Sequence, residues 1–407
     1  MTLPVPKIEI GFDLTESPIG PFLRLDDPVA GKLGSPDYRL GGTIFYDVTD
    51  RAIAVNSARG RPNEFAGFPA GQLTIELNNH DRAFDPIYTA SPFYGNIVPR
   101  REVRLSVNGN RVFTGWIEDW DLQYTPDGDS TVTAIAYDAF YIITNQTLAE
   151  FTPSVETADQ RINTILSRPG VNWSTNLRNL EASTQNMGAY LIPDGTNALS
   201  YIQEVAASEP GQVFVGKSGS IVFTNRDTYP TTADLVEIGS GGIPFNSLRV
   251  IYGAEQLYNE ITITRKDGGT AIASDVASQS AYGSRHLDVR DLLVETDDQI
   301  AEIALDYAAR FSQPEYRIEA AEIDLQKLST EDEGKILGLE IGSVVKSTFT
   351  PNDIPPAIVK YLEVINIEHV ITTSGHYVTL GFKEITYAPL VLDDAVFGML
   401  DVGTLGR

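Results

Sequence analysis

Leu77-Asn78-Asn79-His80-Asp81-Arg82-Ala83-Phe84-Asp85-Pro86 and Val112-Phe113-Thr114-Gly115-Trp116-Ile117-Glu118-Asp119-Trp120 bracket a hairpin, and their reading decides the fold. Leu73, Ile75 and Leu77 alternate with Gln72, Thr74 and Glu76, the period of a strand buried on one face. Val103, Leu105 and Val107 repeat the pattern, and Asn108-Gly109 is a strong two-residue turn signal before Val112 and Phe113 lead back. Trp116, Trp120, Leu122 and Tyr124 are expected to share one face of the returning strand. Pro126-Asp127-Gly128-Asp129 then turns the chain into Thr131–Ala136. Short antiparallel strands with tight turns predict a small barrel or sandwich over residues 41–150.

The loop beside these strands carries Asn78, Asn79, Asp81 and Asp85, whose oxygens suit two uses. Asx side chains bind neighbouring backbone in turns, Arg82 can fork onto a carboxylate, and Pro86 would lead out in extended form beyond Phe84. A calcium loop is the alternative, but the Asp-x-Asp-x-Asp-Gly spacing and the closing Glu are missing, so no metal is expected. Gly115, in mid-strand next to Phe113 and Trp116, marks a bulge, a barrel corner or a close backbone approach. Trp116 and Trp120, flanking Asp119, are read as core, with a sugar-binding platform as the competing reading.

Outward from this segment the texture changes after Phe151-Thr152-Pro153. Thr157 caps a helix through Leu166, a second helix covers Ala198–Ala207, and Val213–Val215 pairs with Ile221–Phe223 as a hairpin. From about residue 245 strands return. Thr296 and Gln299 form a capping pair for a helix over Asp297–Phe311, whose Ile300, Ile303, Ala304, Tyr307, Ala308 and Phe311 share one face. Two internal echoes stand out. Ile117-Glu118-Asp119-Trp120 precedes a Pro-Asp-Gly turn much as Ile367-Glu368-His369-Val370 precedes Ser374-Gly375. Leu25-Asp26-Asp27-Pro28-Val29-Ala30-Gly31-Lys32-Leu33 recurs as Leu392-Asp393-Asp394-Ala395-Val396-Phe397-Gly398-Met399-Leu400, six of nine positions identical.

The expected class is β-rich α+β. It comprises an N-terminal arm (1–40), a first β-barrel (41–150), an α+β insert (151–240), a related second β-barrel (241–385) containing the helix 297–311, and a C-terminal arm (386–407). The echoed arms are read as docking segments through Leu25, Asp26, Asp27, Val29, Gly31 and Leu33, and through Leu392, Asp393, Asp394, Val396, Gly398 and Leu400.

Composition narrows function by exclusion. The 407 residues contain no cysteine, which removes disulfides, thiolate metal sites and a thiol nucleophile. The four histidines are scattered without ligand spacing, so no cofactor is expected. A net charge of −25 disfavours lasting attraction to nucleic acid or anionic lipid. That charge is read either as solubility alone or as acidic side chains lining a conduit, where repulsion would keep passing DNA from sticking. No apolar run is long enough to span a membrane. The first residues lack a signal-peptide layout, so synthesis and assembly in a cytoplasm are expected. Gly239-Ser240-Gly241-Gly242 lacks the Gly-Lys-[Ser/Thr] of a phosphate loop. Ser284, His286 and Asp288 lie too close in sequence to converge as a relay, and no carboxylate pair stands out.

Leu77–Pro86 with Phe113–Trp120, the run Ser280-Ala281-Tyr282-Gly283-Ser284-Arg285 before a helix and Pro314, and the closing Leu392–Leu405 segment resemble the tail-tip hub proteins of phages, in particular minor tail proteins of siphophages infecting actinobacteria. The resemblance implies a multi-domain hub fold with two related barrels per subunit and a homotrimer. Six near-equivalent units would then adapt a sixfold tail tube to the tip. It implies no enzymatic activity. It implies a place at the virion tail tip, with distal tail protein, tape-measure protein and other minor tail proteins as partners, and a channel that genomic DNA crosses without specific binding. A hexameric distal tail protein, a cell-wall hydrolase and a glycan-binding module are the alternatives.

Overall fold

The computed structural model describes residues 5–12, 43–226 and 235–385. The chain is β-rich α+β, and most of its strands belong to a single thirteen-stranded sheet. The strands around the decisive segments are Gln72–Asn78, Arg101–Val107, Asn110–Tyr124 and Ser130–Tyr137. Leu73, Ile75, Leu77, Val103, Leu105 and Val107 are all fully buried, as their alternation requires. Asn108 and Gly109 take φ of 48° and 81°, the left-handed pair that a tight hairpin turn needs.

Trp116 and Trp120 do not share a face. The register of Asn110–Tyr124 against Ser130–Tyr137 shifts between Ile117 and Asp119, leaving Glu118 as an extra residue. A one-residue bulge sends every later side chain to the opposite face. Trp116 therefore packs against Trp173 in one core, and Trp120 against Phe84 in the other.

The large sheet contains two groups of six strands. The first is Pro6–Phe12, Ala52–Gly60, Gln72–Asn78, Arg101–Val107, Asn110–Tyr124 and Ser130–Tyr137. The second is Val236–Gly239, Ser247–Gly253, Glu315–Asp324, Val344–Phe349, Ile358–Thr372 and Gly375–Glu384. Numbered within each group in chain order, both lie side by side as 2-3-6-5-4-1. The one difference is the last pairing, antiparallel in the first group and parallel in the second. A short strand, Ile44–Asp47, extends the first group. The groups join where Ala54–Gly60 runs antiparallel to Asn366–Thr372. Among the described residues no ladder closes either group on itself.

Two hydrophobic cores follow from this layout. One is shared by both strand groups and runs from Ile8 and Phe12 to Leu380 and Phe382. The other gathers the helices Ala158–Leu166 and Ala198–Ser208 with the hairpin Gln212–Val215 and Ile221–Thr224. It also takes in the three-stranded sheet of Glu260–Arg265, Thr270–Ser274 and His286–Leu292, together with the helix Asp297–Phe311. That helix begins at the Thr296–Gln299 capping box and buries Ile300, Ile303, Ala304 and Phe311.

Candidate functional site

The loop from Asn79 to Asn96 is a ribbon of linked turns. The backbone N–H groups of Arg82, Asp85, Tyr88, Ser91 and Tyr94 each donate to the carbonyl three residues back, at 2.8–3.2 Å. Each corner residue closes one turn and opens the next. Polar side chains supply the remaining acceptors: Asn78 Oδ1 accepts from His80 N–H at 2.9 Å and Asn79 Oδ1 from Phe84 N–H at 2.9 Å. Asp81 Oδ1 accepts from Ala83 N–H at 3.2 Å and Asp85 Oδ1 from Ile87 N–H at 3.0 Å. These are the oxygens that a calcium loop would have needed, and the backbone already engages them. Pro86 does not lead into an extended exit. It occupies the second position of the Asp85–Tyr88 turn, where its fixed φ fits.

One ion pair ties this ribbon to the turn before Ala52–Gly60, and a second braces it from within. Arg51 grips Asp81 through two bonds of 2.8 and 2.7 Å, and this hydrogen bonding holds the Asp81 carboxyl below the usual carboxylate range. Arg82, at φ 60°, bonds Asp85 Oδ2 at 2.9 and 2.6 Å, and Tyr124 adds a hydroxyl donor at 3.1 Å. Burial opposes ionisation of Asp85, but Arg82, the Ile87 N–H and Tyr124 outweigh it and keep its pKa low. Beneath the ribbon Phe84 stacks on Trp120 at 5.9 Å and on Phe93 at 5.4 Å, and Phe93 stacks on Phe12 at 4.5 Å. Trp120 Nε1 donates to Val98 O at 3.2 Å. The segment Asn78–Pro86 is thus a lid on one end of the first core.

Gly115 is dictated by close approach. A Cβ there would lie 2.4 Å from Tyr137 O and 2.6 Å from the Phe113 ring. The Gly115→Ala variant is expected to lose about 1–3 kcal/mol of stability, read by urea unfolding, because the strand ending at Tyr137 must move. A change below about 0.5 kcal/mol would show that this contact constrains nothing. Trp116 and Trp173 meet edge to face at 5.7 Å, both half-buried against the second core, and Phe113 is fully buried. Asp119 is exposed just past the bulge. The echoed segments Leu25–Leu33 and Leu392–Leu400 lie outside the described residues, whereas Pro6–Phe12 of the N-terminal stretch is a strand of the first group.

No catalytic constellation assembles among the described residues. His286 Nε2 lies 3.4 Å from Ser284 Oγ and 3.3 Å from Glu260 Oε2. Both partners crowd one ring nitrogen, so no base-and-orienter relay forms, and Asp288 is engaged by Arg290. No group of three or more His, Cys, Asp or Glu is placed to hold a metal. A cavity of about 50 Å³ lies between Glu64, Arg310, Glu315, Arg317, Lys383 and Glu384. That volume is enough for a few waters. Arg310 and Glu64 form an ion pair there, and burial pushes the Tyr307 hydroxyl up to about 12.

Two buried polar features have no sequence signature. Arg161 is fully buried in the helix Ala158–Leu166. His369 Nδ1 and His376 Nε2 lie 3.0 Å apart on neighbouring strands beneath the junction of the two strand groups. Neither a lone helix arginine nor histidines seven residues apart announce such partners.

No family model and no curated protein matches this chain. Solved structures do. The 43 kDa tail protein of prophage MuSo2 from Shewanella oneidensis superposes with a TM-score of 0.56 at 15% identity, over 84% of this chain and 94% of that one. The tail protein from Neisseria meningitidis MC58 gives 0.56 at 12% identity, over 82% and 96%. Prophage tail protein gp18 from Listeria monocytogenes EGD-e gives 0.50 at 12% identity, over 84% and 92%. The fold is that of phage tail proteins.

Proposed function

We propose that this chain is a structural subunit of a phage tail tip. Three copies would form a hub ring that adapts the sixfold tail tube to the tip and leaves a channel for DNA and the tape-measure protein. The observation that carries this reading is the repeated 2-3-6-5-4-1 strand order. Two like units per chain are what a trimer needs in order to present six equivalent faces, and a heterologous contact closes into a ring only when its rotation suits the number of units. The groups stand as two versions of one barrel-like unit, with the second core built from segments inserted between their strands. Distal tail protein, tape-measure protein and other minor tail proteins are the proposed neighbours. The net charge of −25 fits a wall past which DNA slides without binding. The hexameric distal tail protein is the weaker reading, since a hexamer needs no internal repeat.

Native mass measurement of the purified protein tests this. The expected species has three times the 44.5 kDa chain mass. A strict hexamer would move the assignment to the distal tail protein. Sustained release of soluble fragments from cell walls would replace the structural role with a hydrolase.

A further inference from the structure

The internal repeat makes a prediction about the outside of the molecule. In the second strand group, Ile358–Thr372 has one edge covered by Gly375–Glu384. Its other edge is covered first by Val344–Phe349 and then, past an irregularity between Val364 and Asn366, by Ala54–Gly60 of the first group. Asn110–Tyr124 is its counterpart in the first group. One edge is covered by Ser130–Tyr137 and the other by Arg101–Val107 as far as Ile117. The bulge at Glu118 follows, and from Asp119 to Tyr124 no strand among the described residues pairs with that edge. The correspondence holds in detail, for Arg100 N–H donates to Ile117 O as Gly342 N–H donates to Val364 O. The strand that should fill the gap is the second group's counterpart of Ala52–Gly60, namely Ser247–Gly253. That strand has Glu315–Asp324 on one side and nothing on the other among the described residues.

Burial records the missing partner on both strands. At the filled junction Ile367, His369 and Ile371 are buried against Arg59, Ser57 and Val55. At the equivalent positions Trp120 and Leu122 are only half-buried, and Tyr124 is 56% exposed. Leu248 and Val250 are likewise half-buried, and Tyr252 is 69% exposed. Each strand carries an alternating apolar stripe that continues the shared core and stops at an open edge, the arrangement that strand addition completes.

We infer that Ser247–Gly253 of one copy pairs antiparallel with Asp119–Tyr124 of a second copy, reproducing between subunits the junction that each chain makes within itself. The inference rests on the ring reading only in taking the partner to be another copy of this chain. The filled junction fixes the register. Gly60 faces Asn366 there, and the repeat maps these positions onto Gly253 and Asp119. Tyr252 then faces Trp120, Ile251 faces Asp121, Val250 faces Leu122, Arg249 faces Gln123 and Leu248 faces Tyr124. Arg249 would lie diagonally from Asp121, a favourable cross-strand charge pairing.

Because the chain has no cysteine, every thiol in a test is an introduced one. Gln123→Cys and Arg249→Cys alter two exposed side chains, so the fold should survive. Under mild oxidation the double variant is expected to give a covalent ladder ending at the size of the assembled ring. The two single variants, co-assembled, should give covalent dimers, and either alone none. Asp121→Cys with Ile251→Cys is a second pair in the same register, and Thr270→Cys with Arg249→Cys is the control that should stay uncrosslinked. An assembled oligomer in which neither register pair crosslinks would overturn this interface and assign the edge to another occupant, such as a terminal segment of the same chain, while leaving the ring intact. A protein that stays monomeric by mass at every concentration would overturn both the ring and the interface.

Discussion

Replacing Arg161 by methionine is expected to cost about 3–5 kcal/mol of folding stability, the usual penalty for breaking a buried ion pair from one side. Its whole side chain is inaccessible to solvent. Nε donates to Glu156 Oε1 at 2.6 Å, Nη1 to the Tyr201 hydroxyl at 2.9 Å, and Nη2 to the carbonyls of Ser154 and Gly188, each at 2.9 Å. One guanidinium thus ties the helix Ala158–Leu166 to the helix Ala198–Ser208 and to two loop segments. Methionine would fill most of the volume but would take the donors from Glu156 Oε1 and from two carbonyls, leaving the carboxylate with only the Thr164 hydroxyl at 3.1 Å. Arg161→Lys should recover only part of the loss, because an ammonium cannot match the planar fork. Urea unfolding at neutral pH reads the difference. A Met variant within about 1 kcal/mol of the parent would mean that loop rearrangement or water replaces these bonds at no cost. Tyr201→Phe, alone and combined with Arg161→Met, isolates the hydroxyl's share.

What the sequence revealed and what it hid divide along a physical line. Local chemistry was legible: the Thr296–Gln299 capping box, the Asn108-Gly109 turn and the alternation of Leu73, Ile75 and Leu77 each act within a few residues. The strand face of Trp116 and Trp120 was misread, since a bulge shows only against a paired strand and leaves no mark in composition. Pro86 was misread for a related reason, because the Asp85 carbonyl makes a turn that competes with extension. The helices Val276–Tyr282 and Thr330–Gly338 were missed; they are short, and little of either is buried. Long-range placement was the least visible. Nothing near Ile300 indicates that its helix joins the core of Ile162 and Val205, more than ninety residues away in sequence. The echo of Ile117–Trp120 in Ile367–Val370 falls on corresponding strands but three residues out of register, since the two irregularities align Ile117 with Val364 and Trp120 with Ile367; the correspondence of the strand groups shows only in the pairing order.

Acidification should cost this protein stability at His369 and His376. Both rings are buried, and Nδ1 of His376 has no hydrogen-bond partner among the described residues. Burial lowers the His376 pKa to about 4. Burial, the neighbouring His376 and the cations Arg59 and Lys217 put His369 well below its ordinary value. The unfolded chain therefore takes up these protons first. The stability they contribute is complete above about pH 6.5 and is lost as pH falls toward 4, with His376 alone accounting for about 3 kcal/mol. Asp138 works in the opposite sense. Burial raises its carboxyl to about 7, so the folded state holds that proton more tightly and gains stability on acidification. A pH profile of the parent is the difference of the two effects, and comparing variants separates them. With His369→Gln and His376→Gln together, the urea midpoint should fall less between pH 7 and pH 4.5 than it does in the parent. With Asp138→Asn the fall should steepen. An unchanged slope in the double variant would show that the pair is not the acid-sensitive element. The location makes the outcome matter, because His369 lies on Asn366–Thr372 opposite Ser57, in the junction that welds the two strand groups together. Charging the pair would strain the strand junction between the two repeated units.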